Sequence, residues 1–448
     1  MVLKNFNVKI TKKILPFKKT IKVDSDKSLS IRSVIIGSIS QGVSLVRNIL
    51  ESDDVRDTIS VCRKLGVKIS KIKKGSYKIF GNGLGSYSIK KNAKLYFGNS
   101  GTASRLLLGV LSTNPNIEVN ISGDKSLNKR SMKNLINILS NFGASFLPKK
   151  KINFPLKLVS SNMPVGINYN SGVSAQLKSS VIFAGLNSYG RTVINEDISS
   201  RDHTENLLIK NTQVIKIIKK KKKIITIIGK KFLRPLNIDV GGDPSSAAFF
   251  VALTLLNQNS YIKIQNVGLN PTRIGFYEIL KKHNAKIKFI NLKKENNEIR
   301  GDILAESSQL KSITTSSDQY SKTTDEFLIL FVIAALTKGI STFNNISELQ
   351  NKESSRAYEM KKILKQIGVK SKLTSNVMKI YGKGLIDAKD KKVLIPSLHD
   401  HRVAMCGVIL AALTNANTTI KGFETVFSSF PSFLKLFKLL GGKYEIKK

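Results

Sequence analysis

The densest chemistry in this chain lies between Asp325 and Arg356. A lone acid in TTDEF stands upstream of Lys352, Glu353, Ser354, Ser355 and Arg356. Between them run FLILFVIAALTKG, an apolar helix-like stretch ending on Gly339, and the strand-like ISTFNNIS. A buried helix that returns through a strand predicts that the acid and the cluster reach one pocket mouth. Such a pocket holds a base, a second carboxyl and two cations, which is equipment for moving protons on an anionic substrate. The KESSR string reads equally as a solvated, charged helix start.

The elements that must position these groups alternate along the chain. Short β-branched runs precede helix-like segments, as in VDSD then KSLSIRSVIIGSISQG, or LYFGN then SGTASRLLLGVLS. That alternation predicts an α/β or α+β protein. Four strands are followed by a small-residue turn and a helix with an early cation or hydroxyl: DKSLSIR (26–32), GNSGTASR (98–105), SGVSAQLK (171–178) and GDPSSAA (242–248). Repetition of one βα unit is the reading they favour. Helix N-termini leave backbone N–H groups unpaired and carry partial positive charge, so several of them facing one cleft form an anion trap that needs no metal. Taken singly, each turn is also an ordinary N-cap. Only 13 of the 74 basic residues are arginine, and six of those, Arg32, Arg105, Arg130, Arg201, Arg356 and Arg402, fall in Gly/Ser/Asp-rich motifs where a planar, bidentate donor is useful.

The totals set outer bounds. At 448 residues the chain predicts two or three domains, and 41% apolar content is ample for folding. A formal charge of +44 invites a nucleic-acid reading. Against it, the lysines are scattered among Ile and Asn, and aromatic–basic interleaving, a reading helix and zinc-finger spacing are all missing. The dense run KIIKKKKK at 216–223 reads as a solvated hairpin. Cys62 and Cys406 lie far apart in helix-like patterns, which fits a reducing compartment. Lysines at 4, 9, 12 and 13 with no apolar run behind them give no secretory signal, and the longest apolar stretch, near 327–336, is too short to span a bilayer. These features together read as a soluble cytoplasmic protein. His399 and His401 form a His-x-His pair without further ligands, so no metal site is expected, and His401 is read as orienting Arg402. Cys406 is expected in the core.

With KSLSIR, GNSGTASR, SAQLKS, SRDHTE, GDPSSAA, NKESSR and HDHRVAM in this order, the chain resembles the 5-enolpyruvylshikimate-3-phosphate synthase family over about residues 20–440. The resemblance implies a two-domain inside-out α/β barrel, each domain built from three βαβαββ units, with the active site in the interdomain cleft. It places one domain at 22–240 and the other at 1–21 plus 241–448. It implies transfer of the enolpyruvyl group of phosphoenolpyruvate to the 5-hydroxyl of shikimate 3-phosphate with release of phosphate, by a monomer without metal or organic cofactor, specific nucleic-acid partner or membrane.

Carried over by the same resemblance, Lys27, Ser28, Arg32, Ser174, Ala175, Gln176, Arg201, Asp325 and Lys352 contact shikimate 3-phosphate. Lys27, Gly101, Arg130, Gln176, Arg356 and Arg402 contact phosphoenolpyruvate. Asp325 is the expected base toward the 5-hydroxyl, Glu353 the proton donor and then acceptor at the methyl group, and Lys27 the stabiliser of the bridging and leaving oxygens. Gly101, lacking a methyl group, implies room for the inhibitor glyphosate. Ser131, Thr324 and Ser355 depart from the proline, proline and acid of the family pattern, and Ser428 stands where some members have a lysine. The nearest alternative is the enolpyruvyl transferase acting on UDP-N-acetylglucosamine. That enzyme carries a reactive cysteine near the position of GDKSLNKR (123–130), where this chain has none.

Overall fold

Six helices carry apolar side chains on every side: Lys27–Ile39, Gly101–Thr113, Ala175–Leu186, Pro244–Leu256, Phe327–Ala335 and His401–Thr414. A helix without a polar face has to be buried all round. In the computed structural model, which describes residues 6–219, 222–396 and 398–447, that is where they lie. The last three are buried at every position, and the first three are accessible only near their N-terminal ends.

The strands around them follow a different rule. Glu118–Ser122, Arg191–Glu196 and Asn417–Ile420 alternate buried and partly exposed residues, so one face of each sheet lies on helices and the other meets water. The outcome is an inside-out α/β architecture of helices within sheets.

The chain divides into two units. One comprises the N-terminal segment to Asp24, Gly241–Lys293 and Ile299–Lys448; the other comprises Ser25–Val240 with Lys294–Glu298. The first boundary lies three residues beyond the expected one, because the Asp24 carbonyl accepts from Asp243 N (2.8 Å) and its carboxylate from Ser432 N (2.8 Å). Lys294–Glu298, expected with the 241–448 segment, groups with Ser25–Val240.

Among the described residues, each unit holds three sheets with one recurring pattern. Ala93–Tyr96 pairs parallel with Glu118–Ser122, which pairs antiparallel with Leu156–Val159, which pairs antiparallel with Ser145–Leu147. The same succession joins Asn168–Ser171, Arg191–Glu196, Lys223–Ile228 and Ile215–Lys219. It recurs for Lys392–Ile395, Asn417–Ile420, Asn7–Ile10 and Glu445–Lys447. In the sheet of Gly339–Asn344 a single parallel bridge, Thr314 to Thr342, stands in for the parallel strand.

Where the chain passes between units, the repeats are completed by exchange. Lys18–Ile21 pairs with Tyr261–Gly268 in the first unit, and Asn237–Asp239 pairs with Gln41–Arg47 in the second. Of the basic run at 216–223, residues 216–219 lie on a strand that pairs antiparallel with the strand starting at Lys223, with Lys219 opposite Lys223; residues 220 and 221 fall outside the described residues.

Close packing of the inner helices makes a specific demand at Gly109. A Cβ there would sit 2.4 Å from the Ser180 carbonyl oxygen, so the Gly101–Thr113 and Ala175–Leu186 helices approach backbone to backbone. In the other unit, Phe327, Phe331 and Phe343 form an edge-on aromatic cluster, with Tyr320 stacked on Phe327 at 5.6 Å. Each such ring contributes about 1.5–3 kcal/mol by burial and pins the turn that carries Asp325.

Candidate active site

The Ser25–Val240 unit gathers three helix starts. Asp26, Ser100 and Ser174 cap them, accepting from Leu29 N (2.8 Å), Ala103 N (3.2 Å) and Leu177 N (3.4 Å). The capping reading of these motifs and the anion-site reading are therefore compatible, because a side-chain cap satisfies only one of the several N–H groups that a helix start leaves without an intrahelical partner.

Side chains tie the starts together. Arg105 Nη1 donates to Gln176 Oε1 (3.0 Å), and Gln176 Nε2 donates to Thr102 Oγ1 (2.9 Å). Arg130 donates to Asn99 Oδ1, and a Cβ on Gly101 would lie 2.7 Å from both Arg105 Nη1 and Arg130 Nη1. Two guanidinium groups thus converge on the one residue there that has no side chain.

Lys27 Nζ is held by Asp54 Oδ2 at 3.0 Å, with the lysine side chain 17% exposed. Arg32 is buried; it donates from Nε to Thr204 Oγ1 (2.9 Å), from Nη2 to Ser179 Oγ (3.2 Å) and from Nη1 to the Ser28 carbonyl (3.2 Å). It braces the start of its own helix against two others. Ser28, Ser174, Ala175, Gln176 and Arg201 are all half-buried, and Arg201 stands on the loop after the Arg191–Glu196 strand.

The other unit gathers the acids. Asp325 lies just before the Phe327–Ala335 helix, and Glu353 just before the Arg356–Gln366 helix. Arg356 is 1% exposed and reaches both: Nη2 donates to Glu353 Oε2 (2.7 Å), and Nη1 lies 3.9 Å from Asp325 Oδ1. Its Nε and Nη2 also fork onto Asp400, at 2.9 and 3.3 Å. Burial alone would lower the arginine's pKa, but the charges of Asp400 and Glu353 outweigh that and hold it fully ionised. Lys352 lies half-buried in extended backbone beside Glu353.

Arg402 donates from Nη1 to the Asp325 carbonyl (3.0 Å), with Nε 3.5 Å from its carboxylate, and its backbone N–H is capped by Asp400 (3.0 Å). Asp325 and Asp400 therefore both hold Arg402 in place.

Two of the groups that hold candidate site residues, Asp400 and Asp54, escaped the sequence reading, and a third, Arg105, was read there only as one of six arginines in the motifs. Asp400 joins Arg356 to the start of the His401–Thr414 helix, and Ser354 Oγ donates to it at 3.0 Å. Arg105 links Gly101 to Gln176, and Asp54 holds Lys27. Each carried a local signal: an Asp at an N-cap, an Arg four residues after Gly101, an acid pair opening a helix. The partners are 44, 71 and 27 residues away, beyond any helical or strand period. Cys62 and Cys406 are buried free thiols in helices, both with pKa values raised by burial.

Taken together, the second unit presents fixed cations and helix-start N–H groups suited to phosphate and carboxylate, and the first presents two carboxyls on one buried arginine. Comparison with known proteins agrees with this chemistry. The family model described as EPSP synthase (3-phosphoshikimate 1-carboxyvinyltransferase) matches residues 11–437. A 3-phosphoshikimate 1-carboxyvinyltransferase of Zymomonas mobilis subsp. mobilis is 36% identical over 442 residues, covering 98% of this chain and 97% of the relative. One from Caldicellulosiruptor saccharolyticus is 37% identical over 437 residues, covering 95% and 96%. Among solved structures, EPSP synthase from Acinetobacter baumannii superposes with a TM-score of 0.85 at 34% identity, covering 99% of this chain and 100% of that one. The enolpyruvyl transferase NikO from Streptomyces tendae, at 12% identity and a TM-score of 0.75 over 99% of both chains, shares the fold. On a match that runs through every motif described above, the chain belongs to the EPSP synthase (3-phosphoshikimate 1-carboxyvinyltransferase) family.

Proposed function

We propose that this protein transfers the enolpyruvyl group of phosphoenolpyruvate to the 5-hydroxyl of shikimate 3-phosphate, releasing phosphate, in the shikimate pathway of chorismate and aromatic amino-acid biosynthesis. The observation that carries the reading is the pair of carboxyls, Asp325 and Glu353, on the buried Arg356 beside Arg402. It is supported by the relatives named for this activity at 36% and 37% identity over nearly the whole chain.

Asp325 takes the proton of the attacking hydroxyl, and Glu353 protonates the methylene carbon to form a tetrahedral ketal. Glu353 then takes a proton back from the methyl group as phosphate leaves and the double bond re-forms. Lys27 stabilises the bridging and leaving oxygens. The carboxylate and phosphate of phosphoenolpyruvate are bound by Arg356, Arg402, Arg130, Gln176, Lys27 and the backbone of Gly101. An anion arriving on Arg356 competes with Glu353 for Nη2 and so releases that carboxyl for proton transfer. Shikimate 3-phosphate is bound by Lys27, Ser28, Arg32, Ser174, Ala175, Gln176 and Arg201, with Asp325 and Lys352 on its ring hydroxyls.

The steps need only side-chain acids, bases and cations, and the enzyme works as a cytoplasmic monomer. Two free, buried cysteines support a reducing compartment, and among the described residues no helix is long and apolar enough to cross a membrane. The test is phosphate release from phosphoenolpyruvate, with and without shikimate 3-phosphate, on wild type and Glu353→Gln. Release should need both substrates and collapse in the variant. Turnover with UDP-N-acetylglucosamine in place of shikimate 3-phosphate would overturn the reading.

A further inference from the structure

Beneath the Ser174–Gln176 helix start lie four charged side chains that the proposed chemistry does not use. Lys178, two residues past Gln176, is fully buried and reaches Glu196 Oε1 at 2.6 Å and Glu205 Oε1 at 2.7 Å. Lys223 Nζ closes the ring, at 3.1 Å from Glu196 Oε2 and 3.2 Å from Glu205 Oε1. Side-chain exposures are 0% for Lys178 and Glu196, 1% for Glu205 and 14% for Lys223, and the formal charges cancel.

Such a cluster is a poor way to gain stability. Each buried ion loses several kcal/mol of hydration, and apolar side chains of equal volume often serve a fold as well or better. What charges do provide is a fixed geometry, and here that geometry has a direction. Glu196 ends the Arg191–Glu196 strand, and its Oε1 also accepts from Ser200 N (2.9 Å) and Ser200 Oγ (2.7 Å). One carboxylate oxygen thus holds the helix that begins with Ser174, Ala175 and Gln176 and the loop whose next residue is Arg201. Glu205, on the following His203–Leu208 helix, holds the far side of that loop to the same lysine.

We infer that Glu196 is a positioning residue that sets Arg201 against the Ser174–Gln176 helix start, fixing the spacing of the pocket for the phosphate of shikimate 3-phosphate. The inference rests on the function proposed above. Burial by itself would push the Glu196 carboxyl up; the charge and hydrogen bond of Lys178, with Lys223 and Ser200, hold it down to about 2. It therefore remains a charged acceptor across the working pH range.

The test is steady-state kinetics of Glu196→Gln, which keeps the shape and removes the charge. The Michaelis constant for shikimate 3-phosphate should rise at least tenfold, and that for phosphoenolpyruvate should stay within twofold. A folded variant with an unchanged constant for shikimate 3-phosphate, or with both constants and kcat degraded in parallel, would overturn the assignment, since a merely structural residue spares or spoils both substrates alike. Should Glu196→Gln fail to fold, Ser200→Ala removes one of the two loop contacts and leaves the ion cluster whole. There a threefold rise confined to shikimate 3-phosphate is expected, and no rise would overturn the assignment. Wild-type protein that turns over neither substrate pair would instead count against the proposed function, so the two failures are distinguishable.

Discussion

Arg356→Lys tests the heart of the acid–base site. The guanidinium is 1% exposed and makes three hydrogen bonds to carboxylates, two of them a fork on Asp400 and the third to Glu353. A lysine keeps the charge but has no fork: its ammonium can sit on Asp400 or approach Glu353, and the planar bridge between them is lost. Charge-assisted bonds contribute roughly 1.5–3 kcal/mol each, so losing about one of them net, with charge retained, gives roughly 1.5–3 kcal/mol. Because the same guanidinium is proposed to bind phosphoenolpyruvate, that energy is expressed in the transition state as a fall in kcat/KM of about 10- to 150-fold. Removing the charge altogether, as in Arg356→Met, leaves Asp400 buried without its partner and should cost about 3–5 kcal/mol of stability. The assay is initial-rate phosphate release at varied phosphoenolpyruvate, with thermal melting alongside. A lysine variant with wild-type kcat/KM would show that Arg356 serves only to hold Asp400, and the assignment of the anion site would fail with it.

Gly101→Ala should raise the Michaelis constant for phosphoenolpyruvate about three- to tenfold and weaken inhibition by glyphosate. Its Cβ would press on Arg105 and Arg130 at 2.7 Å, and flexible guanidinium ends can move aside at the expense of aim; paired inhibition curves decide it. Burial, with the charges of Asp54, Asp53 and Asp124, pushes the Asp57 carboxyl up to about 6. The unfolded chain releases this proton from its ordinary value of 3.8 upward while the folded state holds it, so stability is lost as pH rises from about 4 to 6. Allowing for solvent screening of a half-buried group, Asp57→Asn should gain about 1–2 kcal/mol above pH 7 and nothing below about pH 4. Melting curves at both pH values check this, and an equal gain at each would refute the electrostatic cause.

Much of this protein was legible in its sequence because the signals are local. Asp26, Ser100, Ser174 and Asp243 cap helices at the four turns where the sequence placed helix starts, since an N-cap acts on an N–H only two or three residues away. FLILFVIAA had to become a buried helix, having no polar face to show water. The order of the motifs sufficed to identify the family. Tertiary structure alone decided which charges meet. Arg356 finds Asp400 44 residues away, Arg105 finds Gln176 71 residues away, and Lys178 finds Glu196 and Glu205 across a strand and a loop. No periodicity encodes such partners. They are chosen by which helix start and which strand end the packed core brings within reach, and burial then makes each pairing obligatory, because an unpaired charge there would lose its water and gain nothing in return.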